Sequence, residues 1–410
     1  MSAKIQRPNK SLIYLVISGL PFYYFFREYG FLASFIYSIP LILLFLSSLL
    51  NEFQRNLTKK YIFHIDFILE ILIMFNIFFV IIYLNLWDRN LILLFVVLLI
   101  AKNLSRFEFE DNFTTSANAL MLSALMGAIG VMAGYIENLF YETHIFNQVM
   151  AFDYPYSDGL NETILLNGFF SSANGSAYCI CVGLAFTQYQ NLIEGNSKNI
   201  LYVFLVLALL LTKAKFAFLY GFTILGICLL KNLSKKYLIL YLCSLGFLYI
   251  FLSHIMIAIS GSYDYPSLHF RRLLFSLGSI DFILGNYGMF KVFVLEAISS
   301  NIFFPIGLSQ FEEIYNGRPH FMFGNLIISG GISLAILVTA YLLIFIKNNF
   351  KDFSKIIKKH YLYMGAFFCF LIESINWNFG NNIYFWMIIF SLSSVHKLEI
   401  KKSNKINLKI

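Results

Sequence analysis

The chain has 410 residues, of which 59% are hydrophobic, 19% aromatic and only 13% charged, and its formal net charge is +8. A soluble domain carries about a quarter charged residues and at most about half apolar ones, so a water-soluble globular protein is excluded. The apolar runs are continuous, whereas the strands of an outer-membrane barrel would alternate apolar and polar residues. The composition therefore predicts an all-α, polytopic integral membrane protein.

Twelve apolar runs are predicted to cross the membrane, with a few residues of error at each end. In chain order they are 11–26, 31–50, 61–84, 88–104, 116–136, 167–187, 199–212, 216–230, 237–258, 323–346, 361–374 and 381–395. Several are shorter than the roughly 20 residues that a spanning helix needs, so we expect their ends to extend. The stretch 199–230 is split at Thr212–Lys215 because two lysines in mid-membrane would be costly.

The basic residues lie in short clusters between these runs, which is typical of membrane topology and not of a nucleic-acid-binding patch. Most of them fall on one side if the N-terminus is cytoplasmic. The positive-inside rule then predicts a multi-pass protein of the bacterial inner membrane with both termini in the cytoplasm. The basic residues on the outer side run against the rule and are Arg27, Arg89, Lys213, Lys215, Arg271, Arg272, Lys291 and Arg318.

The map divides the chain into four parts. Nine helices fill 1–258, a large outer loop covers 259–322, three helices fill 323–395, and a basic cytoplasmic tail covers 396–410. Long loops with residues able to form structure are usually functional, so the site is expected in this loop.

Cations and histidines gather in the outer loop. Arg271, Arg272 and Lys291 suit an anionic group such as phosphate. His320 follows Arg318 and immediately precedes the tenth span, and a free imidazole has a pKa near 6.5, so it can accept a proton from a hydroxyl. The combination suits a lipid phosphate or pyrophosphate with a hydroxyl acceptor. Taken singly, each residue is better read as an interfacial side chain in contact with lipid head groups.

Other acidic groups carry weaker signals. Glu108–Asp111 resembles an acidic metal cluster but is better read as a solvated helix end, so neither a metal nor a cofactor is predicted. Asp66 and Glu70 share one face of the third span, and carboxylates within a membrane raise the hypothesis of a proton pathway. Because Lys59 and Lys60 adjoin them, a structural role near the inner interface is favoured.

Four short stretches resemble motifs of one family. They are Asn167-Gly168-Phe169-Phe170-Ser171-Ser172-Ala173-Asn174, Leu211-Thr212-Lys213-Ala214-Lys215, Phe304-Pro305-Ile306-Gly307-Leu308, and Pro319-His320 followed by Gly330-Gly331. With a dominant loop between the ninth and tenth spans, they resemble the O-antigen polymerase and O-antigen ligase superfamily over residues 165–345. Lys215 stands where that family usually has Arg, and Phe321 replaces its usual Asn.

The resemblance implies a GT-C-like, metal-independent glycosyltransferase at the outer membrane face. Its donor would be a glycan on undecaprenyl pyrophosphate, and His320 would be the general base on the acceptor hydroxyl. The residues implied in binding the pyrophosphate are Arg271, Arg272, Lys291, Lys215 and Arg318. The family's loop arginine could correspond to Arg271, Arg272 or Lys291.

Two acceptors stay open. A polymerase transfers to another lipid-linked repeat unit, and a ligase transfers to a lipid A core sugar; the departures at Lys215 and Phe321 favour the polymerase. Expected partners are membrane lipids, a chain-length regulator and a flippase, and not nucleic acid. A transporter such as a lipid-linked oligosaccharide flippase is a further alternative, but it should show internal repeats and charges within the bundle.

Overall fold

A computed structural model describes residues 9–22, 31–58, 65–86, 88–106, 110–140, 145–152, 161–170, 172–194, 199–212, 214–232, 234, 236–246, 296, 304–315, 319, 321–349, 353–374, 378 and 380–407. These residues are mostly helical. Of the predicted outer loop 259–322, they include 296, 304–315, 319 and 321–322.

A helix lies in each of the twelve predicted apolar runs. In chain order the helices are α1 Lys10–Ser18, α2 Phe31–Thr58, α3 Ile65–Phe78 with a π-helical continuation Phe79–Tyr83, α4 Arg89–Leu104, α5 Glu110–Phe140, α6 Ala173–Glu194, α7 Asn199–Leu211, α8 Lys215–Leu230, α9 Lys236–Gly246, α10 Leu308–Tyr315, α11 Met322–Asn349, α12 Phe353–Lys359, α13 Tyr361–Glu373 and α14 Ile383–Asn407. The short helices α10 and α12 are additional to the predicted runs. The predicted break at Thr212–Lys215 is confirmed, since it separates α7 from α8.

A β-hairpin is a second addition to the predominantly helical fold that the sequence predicted. Strand β1, Asn147–Phe152, pairs antiparallel with β2, Asn161–Leu166, so that Asn147 lies opposite Leu166. The hairpin is tied to α5 by Glu137, whose carboxylate accepts the amide hydrogens of Ile145 and Phe146 at 2.7 and 2.9 Å. The described part of the connection between α5 and α6 is therefore anchored to the end of α5.

Within the part of the chain that the structure describes, three helical stretches are long and apolar enough to cross a membrane: Ile65–Tyr83, Asp111–Phe140 and Met322–Asn348. The predicted extension of short runs occurs in α14, where the 15-residue run 381–395 becomes a helix of 25 residues. It does not occur in α7 or α13, which have 13 residues each and reach only about 20 Å. The structure thus has the apolar helices of a membrane protein, and the number of twelve spans stays a prediction.

The centre of the bundle is formed by helices that are buried on all sides. From Ile383 to Leu392 in α14, every residue is at most 6% exposed, and α6 is buried from Ser176 to Thr187. A helix that is apolar all round is stable only where neighbours cover its whole circumference. The peripheral helix α3 and its π-helical continuation instead expose a stripe of apolar side chains, formed by Ile68, Leu72, Phe75 and Phe79.

Helices α3 and α11 pack side by side in opposite directions. The amide of Asn76 donates to the hydroxyl of Ser333 at 2.6 Å, and farther along the pair the hydroxyl of Tyr341 donates to Glu70 at 2.8 Å. The contact positions rise along one helix as they fall along the other. Antiparallel packing is the relation that alternating crossings require of the third and tenth spans.

Helices α2 and α4 instead run in the same direction. The rings of Phe45 and Phe95 lie 6.3 Å apart, and about two turns farther along both helices Lys102 lies 3.5 Å from Glu52. Parallel packing is what alternating crossings require of the second and fourth spans.

Candidate functional site

Five of the six residues implied in catalysis or pyrophosphate binding lie outside the described residues: Arg271, Arg272, Lys291, Arg318 and His320. The sixth, Lys215, is the first residue of α8. The structure describes most residues of the four motif stretches, two of which carry Lys215 and His320.

The stretch before α6 is fixed by close backbone contact. Gly168 has φ +59° and lies against Gly130 of α5, where a Cβ on either glycine would fall 2.8 Å from backbone atoms. The Ser172 hydroxyl accepts the amide hydrogen of Gly175 at 3.1 Å and so caps α6. The Ser176 hydroxyl donates to the carbonyl of Asn167. The motif is thereby clamped between the hairpin and the start of α6.

The turn between α7 and α8 is held by one buried hydroxyl. Thr212 donates to the carbonyl of Leu209 at 2.7 Å and accepts the amide hydrogen of Ala214 at 3.3 Å. Both Thr212 and Ala214 are buried. The turn therefore lies within the protein, and it sets the point at which Lys215 begins α8.

Helix α11 is interrupted at Gly331, where φ is 79° and ψ is 171°. An L-residue with a side chain rarely adopts this backbone conformation. Next to the interruption, the carbonyl of Ile328 accepts the amide hydrogen of Gly307 at 2.9 Å. Gly307 itself has φ +89°. The amide of Gly307, which belongs to one motif stretch, is thus bonded beside the helix interruption at Gly331, which belongs to another.

Aromatic contacts bring the remaining stretches together. The ring of Tyr178, near the start of α6, lies 4.4 Å from that of Phe216 at the start of α8 and 5.7 Å from that of Phe370 in α13. At the end of α13, the carbonyl of Ser374 accepts the amide hydrogen of Met322, the first residue of α11, at 3.2 Å.

These contacts define one end of the bundle, which we call the motif end. Among the described residues it holds 167–170, 172–174, 214–216, 304–308, 319 and 321–322, together with the end of α13. Helices α6, α8, α11 and α14 all begin here. Helix N-termini present unpaired amide groups and a positive partial charge, which favours anions.

Two residues at the motif end were missed by sequence reasoning. Glu373 is the last residue of α13 and is fully buried, and Asn325 of α11 is 8% exposed. The side chain of Asn325 donates to the carbonyls of Pro319 and Phe321, the residues on either side of His320. An isolated Glu in an apolar run was a visible signal, whereas the role of Asn325 depends on a turn that the sequence did not predict.

The opposite end of the bundle contains a buried group of charges, which we call the charge cluster: Glu52, Glu70, Lys102, Arg106 and Tyr341. Lys102 forms an ion pair with Glu70 and lies 3.5 Å from Glu52. Arg106 binds both carboxylate oxygens of Glu52, with one nitrogen–oxygen distance of 3.1 Å. Four helices, α2, α3, α4 and α11, therefore meet through polar contacts.

The charges within the cluster balance, with two carboxylates facing two cations. Burying an ion is costly unless its partners replace the lost water. Glu70 is 3% exposed, Glu52 6% and Lys102 9%. Lys59 and Lys60, which adjoin Glu70 in the sequence, lie outside the described residues, and the cation that pairs with Glu70 is Lys102 from another helix.

No group of three or more His, Cys, Asp or Glu side chains suited to a metal ion occurs among the residues that the structure describes. Neither a protein-family model nor a curated protein sequence matches the chain. The resemblance to the O-antigen superfamily accordingly depends on the four motif stretches and their arrangement.

Proposed function

We propose that this protein is an O-antigen or surface-polysaccharide polymerase, which joins undecaprenyl-pyrophosphate-linked repeat units at the outer face of the plasma membrane. One observation supports it above the others. Described residues of the four stretches that resemble the family's motifs, spread from residue 167 to residue 322, lie at a single end of the bundle.

The proposed reaction is glycosyl transfer between two lipid-linked glycans. The acceptor hydroxyl oxygen bonds to the anomeric carbon of the donor, and the bond from that carbon to the pyrophosphate breaks. His320 takes the hydroxyl proton as general base. The leaving pyrophosphate gains negative charge, which nearby cations stabilise, and the residues proposed for this are Arg271, Arg272, Lys291, Lys215 and Arg318.

The motif end suits such a donor in a second way. Lys215 opens α8, and four helices begin at this end. Their amide groups add positive potential where a pyrophosphate would lie, because the helix dipole directs its positive end there. The membrane lipids would hold the undecaprenyl chain beside the bundle, and a flippase and a chain-length regulator are the proposed partners.

The test is complementation of a strain that lacks the gene, read from the ladder of its surface polysaccharide. His320→Ala should abolish polymerisation, since a general base contributes roughly a hundred- to ten-thousand-fold. Replacing both Arg271 and Arg272 with Ala should do the same. The matched control replaces Lys401 and Lys402, which the positive-inside rule predicts to lie on the cytoplasmic side, and it should complement normally. Normal ladders from His320→Ala at normal expression would refute the assignment of the base.

A ligase is the nearest alternative, and the deletion strain itself distinguishes the two. Without a polymerase, the cell still attaches a single repeat unit to the lipid A core. Without a ligase, no repeat unit is attached. Loss of every attached repeat would therefore reassign the protein.

A transporter is a second alternative, and two observations favour it. The charge cluster lies inside the bundle, and α11 is interrupted at Gly331. Transporters commonly combine buried charges with discontinuous helices. Purified protein in detergent that elongates lipid-linked repeat units would exclude a purely transporting role, because detergent removes the two compartments that transport needs.

A further inference from the structure

Asn325 connects α11 to the backbone on both sides of His320. Its side-chain amide donates to the carbonyl of Pro319 and, at 3.3 Å, to the carbonyl of Phe321. The backbone amide of Asn325 also donates to Phe321, at 3.1 Å. Asn325, in the first turn of the helix, thus binds the carbonyl that precedes residue 320 and the carbonyl of residue 321.

The chain on both sides of these hydrogen bonds is itself held in place. Pro319 is buried, and its ring fixes its own φ near −65°. Met322 is anchored by its amide to the carbonyl of Ser374, at 3.2 Å. The chain that enters α11 is therefore held from α13 and from within α11 itself.

We infer that Asn325 is a positioning residue for glycosyl transfer, acting through His320. This inference rests on the proposed function, in which His320 is the general base. Asn325 is 8% exposed, and its amide is engaged by the two carbonyls, so its role is to orient the backbone and not to contact the substrate. A base must lie within hydrogen-bond reach of the proton it takes, and a displacement of about 1 Å can cost about a hundredfold in rate.

The experiment measures kcat and KM of the purified full-length protein in lipid nanodiscs. The probe is the undecaprenyl-pyrophosphate-linked repeat unit extracted from the deletion strain, in which it accumulates. Asn325→Ala should lower kcat by about 10- to 100-fold and leave KM within about twofold. Asn325→Gln keeps the amide donors and should retain more of the activity. Asn348→Ala, an exposed Asn at the far end of α11, is the matched control and should behave as the wild type.

A double-mutant cycle separates positioning from a general structural role. If Asn325 acts through His320, then Asn325→Ala should change the residual rate of His320→Ala by less than about twofold. An equal loss in both backgrounds would overturn the inference, because it would mean that Asn325 supports the fold alone. If Asn325→Ala does not fold, Asn325→Asp takes its place in the cycle, since it has the same shape but cannot donate.

The cycle also distinguishes failure of the inference from failure of the proposed function. Normal transfer by Asn325→Ala beside an inactive His320→Ala would refute the positioning role alone. Normal transfer by His320→Ala would refute the base assignment and with it the inference.

Discussion

Replacing Lys102 tests whether the charge cluster stabilises the bundle as a balanced set. Lys102→Met removes a cation and keeps most of the apolar stem. Glu52 would keep Arg106, which binds both of its oxygens. Glu70 would lose its direct ion pair and keep the hydroxyl of Tyr341 and the more distant charge of Arg106. The penalty should therefore fall on Glu70, as a buried carboxylate without a directly bound counter-ion.

The expected size of the penalty follows from the burial of Glu70, which is 3% exposed. Removing one partner of a buried ion pair typically costs about 3–5 kcal/mol. Adding Glu70→Gln to Lys102→Met removes the unpaired charge, and it should restore all but about 1–2 kcal/mol of the free energy of unfolding. Replacing a whole buried pair by neutral groups is often close to neutral.

The assay is reversible unfolding of the purified protein in mixed detergent micelles, followed by loss of helical circular dichroism. Lys347→Met is the matched control, because Lys347 lies on α11 at the same end of the bundle and is exposed. It should change the free energy of unfolding by less than about 0.5 kcal/mol. The reasoning is refuted if Lys102→Met costs less than about 1 kcal/mol, or if the double variant is less stable than the single one.

The remaining predictions concern the helix break and the membrane topology. Gly331→Ala should cost about 1–3 kcal/mol and reduce polymerisation, because Gly331 has φ 79°, whereas Gly221→Ala, with nothing within 4 Å of the added Cβ, should be neutral or slightly stabilising; thermal unfolding of both variants tests this. A single cysteine introduced at Ser262 should react with an impermeant thiol reagent in intact spheroplasts, and one at Asn348 should not, in a background without native cysteines; the reverse pattern would invert the topology.

The sequence predicted where helices form better than how they end. Continuous apolar runs determine a helix in either a membrane or a buried core, so a helix lies in every predicted run. The break between α7 and α8 was predictable from Lys213 and Lys215 because charge in mid-membrane is costly. Helix length was not, since α7 and α13 end where their neighbours and not their composition require.

The hairpin illustrates a second limit. Strands β1 and β2 lie in a polar segment between two apolar runs, and their pairing depends on Glu137, which accepts two amide hydrogens from residues that follow α5. Such side-chain to backbone contacts leave no periodic pattern.

The candidate site shows the same division. The motif glycines were visible, and the structure gives two of them a physical reason, since Gly307 and Gly331 adopt conformations that favour glycine. The pairing of Glu70 with Lys102 joins residues 32 positions apart, so it could be found only from the packing of α3 against α4. The hydrogen bonds from Asn325 to Pro319 and Phe321 depend on the turn before α11, which the sequence did not predict.

The central place of α14 has a consequence for how the molecule is made. This helix follows all other described helices in the chain, yet its side chains fill the middle of the bundle, and Ser394 donates to the carbonyl of Ser105 in an early segment. A nascent chain synthesised as far as α13 has a groove where Trp386 and its neighbours will lie. The earlier helices therefore cannot complete their packing until translation passes residue 395. A chain cut short before that point would offer an open, partly polar groove to the proteases that remove incomplete membrane proteins.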